Sequence, residues 1–279
     1  MQLFVDQLTN VDFSYLCPQR GLVGETWLAD VLLDGSLDNQ GMVCDFGIVK
    51  SETRRWLDTH IDHCLLVPTR HAAISVASTE QYHRVTCDLI GGGTIVCKSP
   101  VSAITLVDAS EINAATVAAW SLEKVMRLFP DSVNALNLTF NEENITGPYY
   151  HYSHGLKKHS GNCQRIAHGH RSKIEIRRNG APSEVDMQSW ASLWKDIYIG
   201  TQQDVVSGEN SESLTFAYTA QQGEFLLTLP KRLCYLIDTD TTVEFIAQHI
   251  AKTLKAQQPD DLIQVKAYEG LAKGAICQI

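Results

Sequence analysis

Residues 151–180 read HYSHGLKKHSGNCQRIAHGHRSKIEIRRNG, and the local pattern of this stretch sets both the fold and the chemistry. Ile174 and Ile176 alternate with Lys173, Glu175 and Arg177, the period-2 signature of a strand with one buried face. Side chains two apart on a strand share a face, so His168 and His170 can aim at one point. Upstream, Tyr150, Tyr152 and His154 alternate in the same way and predict a neighbouring antiparallel strand, with SGN at 160–162 in the connection. A third imidazole beside an H-x-H pair makes three neutral nitrogen ligands. That is the usual protein complement of a catalytic zinc whose fourth position is left for water or substrate. An H-x-H pair alone also occurs on solvated strand faces, so the pattern needs further support.

Charge supplies some of it. Five of the ten histidines fall in this window, which holds seven lysines and arginines against the single acid Glu175. Its formal charge of +6 sits in a chain of net −9, so the remaining residues sum to −15. A globally acidic surface argues against nucleic acid or an anionic membrane as the main partner, whereas the local basic island is either a solvated strand face or a place for a small anion. The 279 residues, 44% hydrophobic and 20% charged, can bury the cores of two domains. No apolar run approaches the ~20 residues that span a bilayer. The opening MQLFVDQL has no basic segment followed by an apolar stretch, so no secretory signal is expected. The eight cysteines form no C-x-x-C pair and suggest no disulfide framework, which points to a reducing, cytoplasmic setting.

Working outward, the second half of the chain can be laid over the first. DFSYL (12–16) parallels HYSHG (151–155), and GETWLADVLLDG (24–35) parallels GHRSKIEIRRNG (169–180). MVCDFGIVK (42–50) matches EVDMQSWASLWK (184–195) through Asp45 and Asp186, and TLVDAS (105–110) matches YLIDTD (235–240). Helical runs are predicted after the N-caps Ser110 and Asp240, each followed by Pro-Asp and a final strand, ALNLTF or IQVKAY. Each unit reads strand, strand, helix, irregular middle, helix, strand: an α+β fold with a mainly antiparallel sheet. The copies divide their polar residues. The first has Tyr15, Val23 and Glu25 where the second has His154, His168 and His170. It keeps Asp62-His63 in HIDHCLLV, and the matching stretch YIGTQQDVV of the second has no histidine.

The ordered series YSH (152–154), CQRIAHGH (163–170), GMVCDFGIVK (41–50), DHCLL (62–66) and VKAYE (265–269) resembles the 6-pyruvoyltetrahydropterin synthase and 6-carboxytetrahydropterin synthase family, split over two fused copies. The resemblance implies two tandem tunnelling-fold (T-fold) units, 1–144 and 145–279, each a mainly antiparallel four-stranded sheet with helices on one face. It implies zinc on His154, His168 and His170, a catalytic thiol at Cys163, proton transfer by Asp62 and His63, and a pterin held by Glu269. In that family the Asp-His pair reaches the zinc from a neighbouring subunit, so divided copies would form composite sites in a homo-oligomer. The implied reaction is a zinc-dependent lyase step that converts 7,8-dihydroneopterin triphosphate to 6-carboxy-5,6,7,8-tetrahydropterin, as in deazapurine (queuosine-type) biosynthesis. The alternatives are the pyruvoyl-forming elimination of triphosphate and a pterin-binding module without turnover. The E-S-K-x-x-K signature of a fused nitrile reductase is absent. Three features depart from the family pattern: four residues between Cys163 and His168, Arg171-Ser172 after HGH, and Gly270-Leu271 after Glu269.

The residue types suit such chemistry. A thiol becomes a useful base beside cations, and Lys157, Lys158 and Arg165 lie near Cys163 in sequence. An imidazole oriented by a carboxylate relays protons near neutrality. A carboxylate can accept two N–H bonds from a guanidine-like ring edge. The rival readings are an inert buried thiol for Cys163 and a locally bonded turn for Asp62-His63. Glu142 is the first-copy counterpart of Glu269, Cys44, Cys64 and Cys234 read as packing, the Ala-rich run 111–126 as core, and Gly91–Gly93 as a turn.

Overall fold

The computed structural model describes residues 1–208 and 211–279. The first unit runs β1 (Gln2–Cys17), β2 (Gly21–Gly35), α1 (Phe46–His60), β3 (Leu65–Pro68), β4 (Ile74–Ser78), β5 (Tyr82–Asp88), β6 (Thr94–Pro100), β7 (Ile104–Val107), α2 (Ala114–Met126) and β8 (Val133–Glu142). The second repeats the order as β9 (Tyr149–His154), β10 (His168–Arg178), β11 (Ala181–Pro182), α3 (Glu184–Leu193), β12 (Ile197–Thr201), β13 (Val205–Ser207), β14 (Ser213–Ala220), β15 (Gly223–Pro230), β16 (Cys234–Ile237), α4 (Val243–Gln257), β17 (Ile263–Tyr268) and β18 (Gly274–Gln278).

The predicted hairpins form in register. Tyr15 faces Val23 and Phe13 faces Glu25 in the first unit, while His154 faces His168 and Tyr152 faces His170 in the second. The sheets are larger than four strands. The first is ordered β7-β3-β1-β2-β8 and the second β16-β12-β9-β10-β17-β18, with β11 on β10. Short strands β3 and β7, and likewise β12 and β16, extend each sheet in parallel, β3 and β12 following the first helix of each unit and β7 and β16 preceding the second. The helices of each unit cover its own sheet. Val49, Trp56, Leu57, Val117 and Val125 pack with Phe13, Val23 and Trp27, and Met187, Trp190, Ile246 and Ile250 pack with Tyr150, Tyr152 and Ile174.

The caps shift from the predicted Ser110 and Asp240 to Asn113 and Thr242. Asn113 and Thr116 form a reciprocal capping box that satisfies two orphan N–H groups at once. Asp240 is drawn instead to Lys158, 2.7 Å away. Asp45 caps α1, whereas Asp186 lies inside the first turn of α3 and grips Arg178 and Ser183, so these two aspartates are not equivalent.

The predicted irregular middle is a third sheet, ordered β13-β14-β15-β6-β5-β4, in which β6 of the first unit pairs with β15 of the second. Val85 and Cys87, Ile95 and Cys97, Leu214 and Phe216, and Phe225, Leu227 and Leu229 alternate along its strands and bury one common face. Gly91–Gly93 form the turn between β5 and β6, with Leu89 N–H donating to Gly93 O.

The two hairpin sheets meet back to back at two glycines. A Cβ on Gly24 would lie 1.9 Å from Tyr152 O, and one on Gly169 would lie 2.7 Å from Gly24 Cα, so neither position admits a larger residue without moving backbone. Beside them the hydroxyls of Ser14 and Ser153 are 2.7 Å apart in a buried hydrogen bond. This crossing brings the polar residues of one unit against those of the other.

Candidate metal centre and composite active site

His154 ends β9, and His168 and His170 open β10, so the hairpin register gathers three rings. All three are essentially fully buried. The outer nitrogens of His154 and His168 are occupied, while that of His170 faces a carboxylate without a hydrogen bond. His154 Nδ1 donates to Thr241 O at 2.9 Å, His168 Nδ1 donates to Arg165 O at 2.8 Å, and His170 Nδ1 lies 3.2 Å from Asp12 Oδ1. Carbonyl acceptors on Nδ1 fix the tautomer that leaves Nε2 with a free lone pair.

Two observations test whether these residues fit a metal. His154 Nε2 and His170 Nε2 are 3.2 Å apart, close to the ~3.3 Å edge expected when two Zn–N bonds of about 2.0–2.1 Å meet tetrahedrally. His168 Nε2 is buried with no hydrogen-bond partner, and one ligand atom from each ring lies within 4.8 Å of the others. Burial, reinforced by the neighbouring imidazoles, holds His154 and His168 well below the usual histidine range, so both are neutral donors. The donor set fits a three-histidine metal site.

The first unit supplies the neighbouring groups. Asp62 and His63 follow α1, and His63 sits in the left-handed region at φ +54°. Strand β1 holds this turn: His63 N–H donates to Asp12 O at 2.6 Å, and Asp12 N–H donates to Asp62 Oδ1 at 2.8 Å. Asp62 Oδ2 in turn accepts from His63 Nδ1 at 2.5 Å. The His63 ring stands 4.9 Å from that of His168, and ligand atoms of His63, Cys163 and His168 lie within 4.8 Å of one another. Cys163 rides on a short turn (Asn162–Gln164) of the loop between β9 and β10. Burial opposes charge on His63, but the Asp62 carboxylate and the Cys163 sulfur outweigh it and push the imidazole up to about 10. Glu269 Oε1 lies 3.8 Å from His170 Nε2.

His154, His168, His170, Cys163, Asp62, His63 and Glu269 therefore enter one cluster, and Asp62-His63 reach it within the same chain. Asp12 has no sequence signal, yet it links both halves: its backbone clamps Asp62-His63 and its carboxylate faces His170. That carboxylate is 1% exposed. It accepts from Thr26 Oγ1 at 2.6 Å, Lys273 Nζ at 3.0 Å and Asn10 Nδ2 at 3.2 Å. Burial alone would raise Asp12, but His170, Lys273 and Thr26 together hold it well below the usual carboxylate range. Gly270 is accounted for here, since a Cβ would lie 2.3 Å from Asp12 Oδ1.

Two sequence expectations change. The basic island is largely neutralised: Lys157 pairs with Asp204, Lys158 with Asp240, Lys173 with Glu143, Arg171 with Glu142, and Arg178 with Asp186 and Asp261. Arg165 faces the site's rear, its Nη1 3.1 Å from Cys64 Sγ and 3.5 Å from His63 O. The counterpart of His63 also moves from YIGTQQDVV. Leu65 lies beside Ser14 and Tyr198 beside Ser153, which sets Asp196 opposite His63, and both take left-handed φ, +56° and +54°.

The family model for 6-pyruvoyl tetrahydropterin synthase matches residues 16–142 and again 147–278. The chain belongs to this family. As a tandem family member it carries the T-fold twice. Similar solved structures include a 6-pyruvoyltetrahydropterin synthase from Plasmodium vivax, 17% identical, covering 52% of this chain and 93% of that one with a TM-score of 0.43. Another is the Plasmodium falciparum 6-pyruvoyl tetrahydropterin synthase, 11% identical, covering 50% and 90% with a TM-score of 0.42. No curated protein matches the chain. Among the described residues, no helix is long and apolar enough to cross a membrane.

Proposed function

We propose that this tandem family member is a zinc-dependent lyase acting on 7,8-dihydroneopterin triphosphate, and that its product is 6-carboxy-5,6,7,8-tetrahydropterin. The observation that carries the reading is the meeting of Asp62-His63 from the first unit with Cys163, His154, His168 and His170 from the second. Zinc held by the three imidazoles would supply Lewis acidity to a chelated polyol side chain, making its C–H bonds easier to deprotonate. The remaining steps belong to the chain. Beside a cationic imidazole, the Cys163 sulfur is placed to take a substrate proton. Asp62 orients His63, and His63 is the group that exchanges protons with the sulfur and with the departing oxygen. Glu269, near His170 and partly open to solvent, would accept the paired N–H groups of the pterin edge. The triphosphate would be held by residues other than the paired lysines of the basic island. We place the protein in a cytoplasmic homo-oligomer, with the unit boundary near residue 144.

Zinc-loaded protein incubated with 7,8-dihydroneopterin triphosphate, with products read by mass spectrometry, tests this. With water consumed, the carboxy-forming reaction releases triphosphate and acetaldehyde, while the pyruvoyl-forming elimination releases triphosphate alone and keeps the side-chain carbons. Zinc and pterin binding with neither product would leave a binding module instead.

A further inference from the structure

The fold places a second pocket where the internal repeat puts the counterpart of the metal centre. It encloses about 730 Å³, within the usual range for small-molecule sites, and lies between the start of α2 and the exposed side of α3. The correspondence is residue by residue. Tyr15 stands for His154, Glu25 for His170, His151 for Asp12 and Asp196 for His63, so carboxylate and imidazole have exchanged places between the units. At the metal centre Asp12 of the first unit faces His170. Here His151 of the second unit faces Glu25, Nδ1 to Oε2 at 3.7 Å.

The metal-binding pattern is gone. Arg20 occupies the mouth instead, donating through Nη1 to Tyr15 OH at 2.8 Å and through Nε to Asp196 Oδ2 at 3.0 Å. Glu142, the counterpart of Glu269, is already faced by the Arg171 guanidinium, Nη2 at 3.5 Å, which also lies over the Tyr149 ring. A guanidine-like ligand edge would therefore find its carboxylate taken. What stays open is different. Glu25 is 3% exposed, and its Oε2 has no partner within hydrogen-bond distance among the described residues. Burial pushes its carboxyl up to about 8, which makes it a neutral donor. His151 is held down to about 4 by burial and by Arg20. Its Nδ1 donates to Gly24 O at 2.7 Å, which leaves the Nε2 lone pair free. Lys195 lines the same pocket, is exposed and has no ion pair among the described residues.

We infer that this pocket is a metal-independent site for a small organic anion, bearing a carboxylate or phosphate near Lys195 and a hydrogen-bonding body against Glu25 and His151. The site is separate from turnover and does not depend on the proposed reaction. Trp27 lines the pocket, so its fluorescence can report occupancy. Zinc-free and zinc-loaded protein titrated with inorganic pyrophosphate and with malonate tests the assignment and separates the two anion types. A saturable signal with at least one probe, unaffected by zinc, is expected. Lys195→Glu reverses an exposed, unpaired charge and should weaken binding by about tenfold or more, the value of one charge-assisted contact. Glu25→Ala should weaken it as well, while His63→Ala should leave it unchanged. Failure of both probes to saturate, binding that requires zinc, or wild-type affinity in Lys195→Glu would overturn the inference.

Discussion

Replacing Asp12 by Asn keeps the side chain's size and removes its charge. In the native protein Asp12 Oδ1 lies 3.2 Å from His170 Nδ1 and 2.6 Å from Thr26 Oγ1, while Oδ2 lies 3.0 Å from Lys273 Nζ. An amide cannot satisfy all three, because its NH2 end must face either the lysine or the imidazole, donor against donor. Either way the imidazole faces a neutral amide where the native protein sets a carboxylate 3.2 Å from its Nδ1. Loss of such an outer carboxylate typically costs about 10–100-fold in metal affinity, or about 1.4–2.8 kcal/mol. The Lys273 pair contributes little of this, because that side chain is half exposed and well screened. Competition with a chromophoric chelator measures the zinc affinity, and circular dichroism verifies that the variant is folded. Lys273→Gln is the control and should lose far less affinity. A folded Asp12→Asn protein with zinc affinity within about twofold of wild type would refute the reasoning.

Three further outcomes follow from the same contacts. Gly24→Ala forces a Cβ to within 1.9 Å of Tyr152 O where the two sheets cross, so it should destabilise the protein by at least the ~1–3 kcal/mol of overpacking, measured by denaturant unfolding. Glu25 is pushed up to about 8 in the folded protein from an ordinary value of 4.5, so the folded state holds its proton longer. Its contribution to stability is full below about pH 4.5 and is lost as pH rises through about 8, and Glu25→Gln should flatten the fall in melting temperature over that window. If His63 has the proposed proton-transfer role, His63→Ala should lower kcat by about 10²–10⁴ while zinc affinity stays near wild type, since the three proposed ligands are untouched.

Much of this arrangement is legible in the sequence, for a local reason. Alternation through Tyr150, Tyr152 and His154, and again through His168 and His170, fixes strand faces without reference to the rest of the chain. The same rule gives the first-unit hairpin and its substitutions Tyr15, Val23 and Glu25. The third sheet escapes because β6 and β15 pair across the two units, far apart in sequence, although Ile95 and Cys97, or Leu227 and Leu229, already alternate. The true counterpart of Asp62-His63 escapes because Trp194-Lys195-Asp196 shares backbone conformation and no chemistry with it. Asp12 is the clearest case. Nothing in its sequence context marks it, and the crossing at Gly24 and Gly169 sets it against His170. The basic island is visible as charge, but its acids lie as far away as Asp240 and Asp261, so its neutralisation belongs to tertiary structure.

The central claim is a single composite site per chain, with metal ligands from the second unit and the acid–base pair from the first. Zinc stoichiometry of the purified chain, measured by inductively coupled plasma mass spectrometry on wild type, His168→Ala and Glu25→Ala, tests it most directly. One zinc per chain is expected in wild type and Glu25→Ala, and none in His168→Ala. Two zincs per chain, or full zinc retention in His168→Ala, would contradict it.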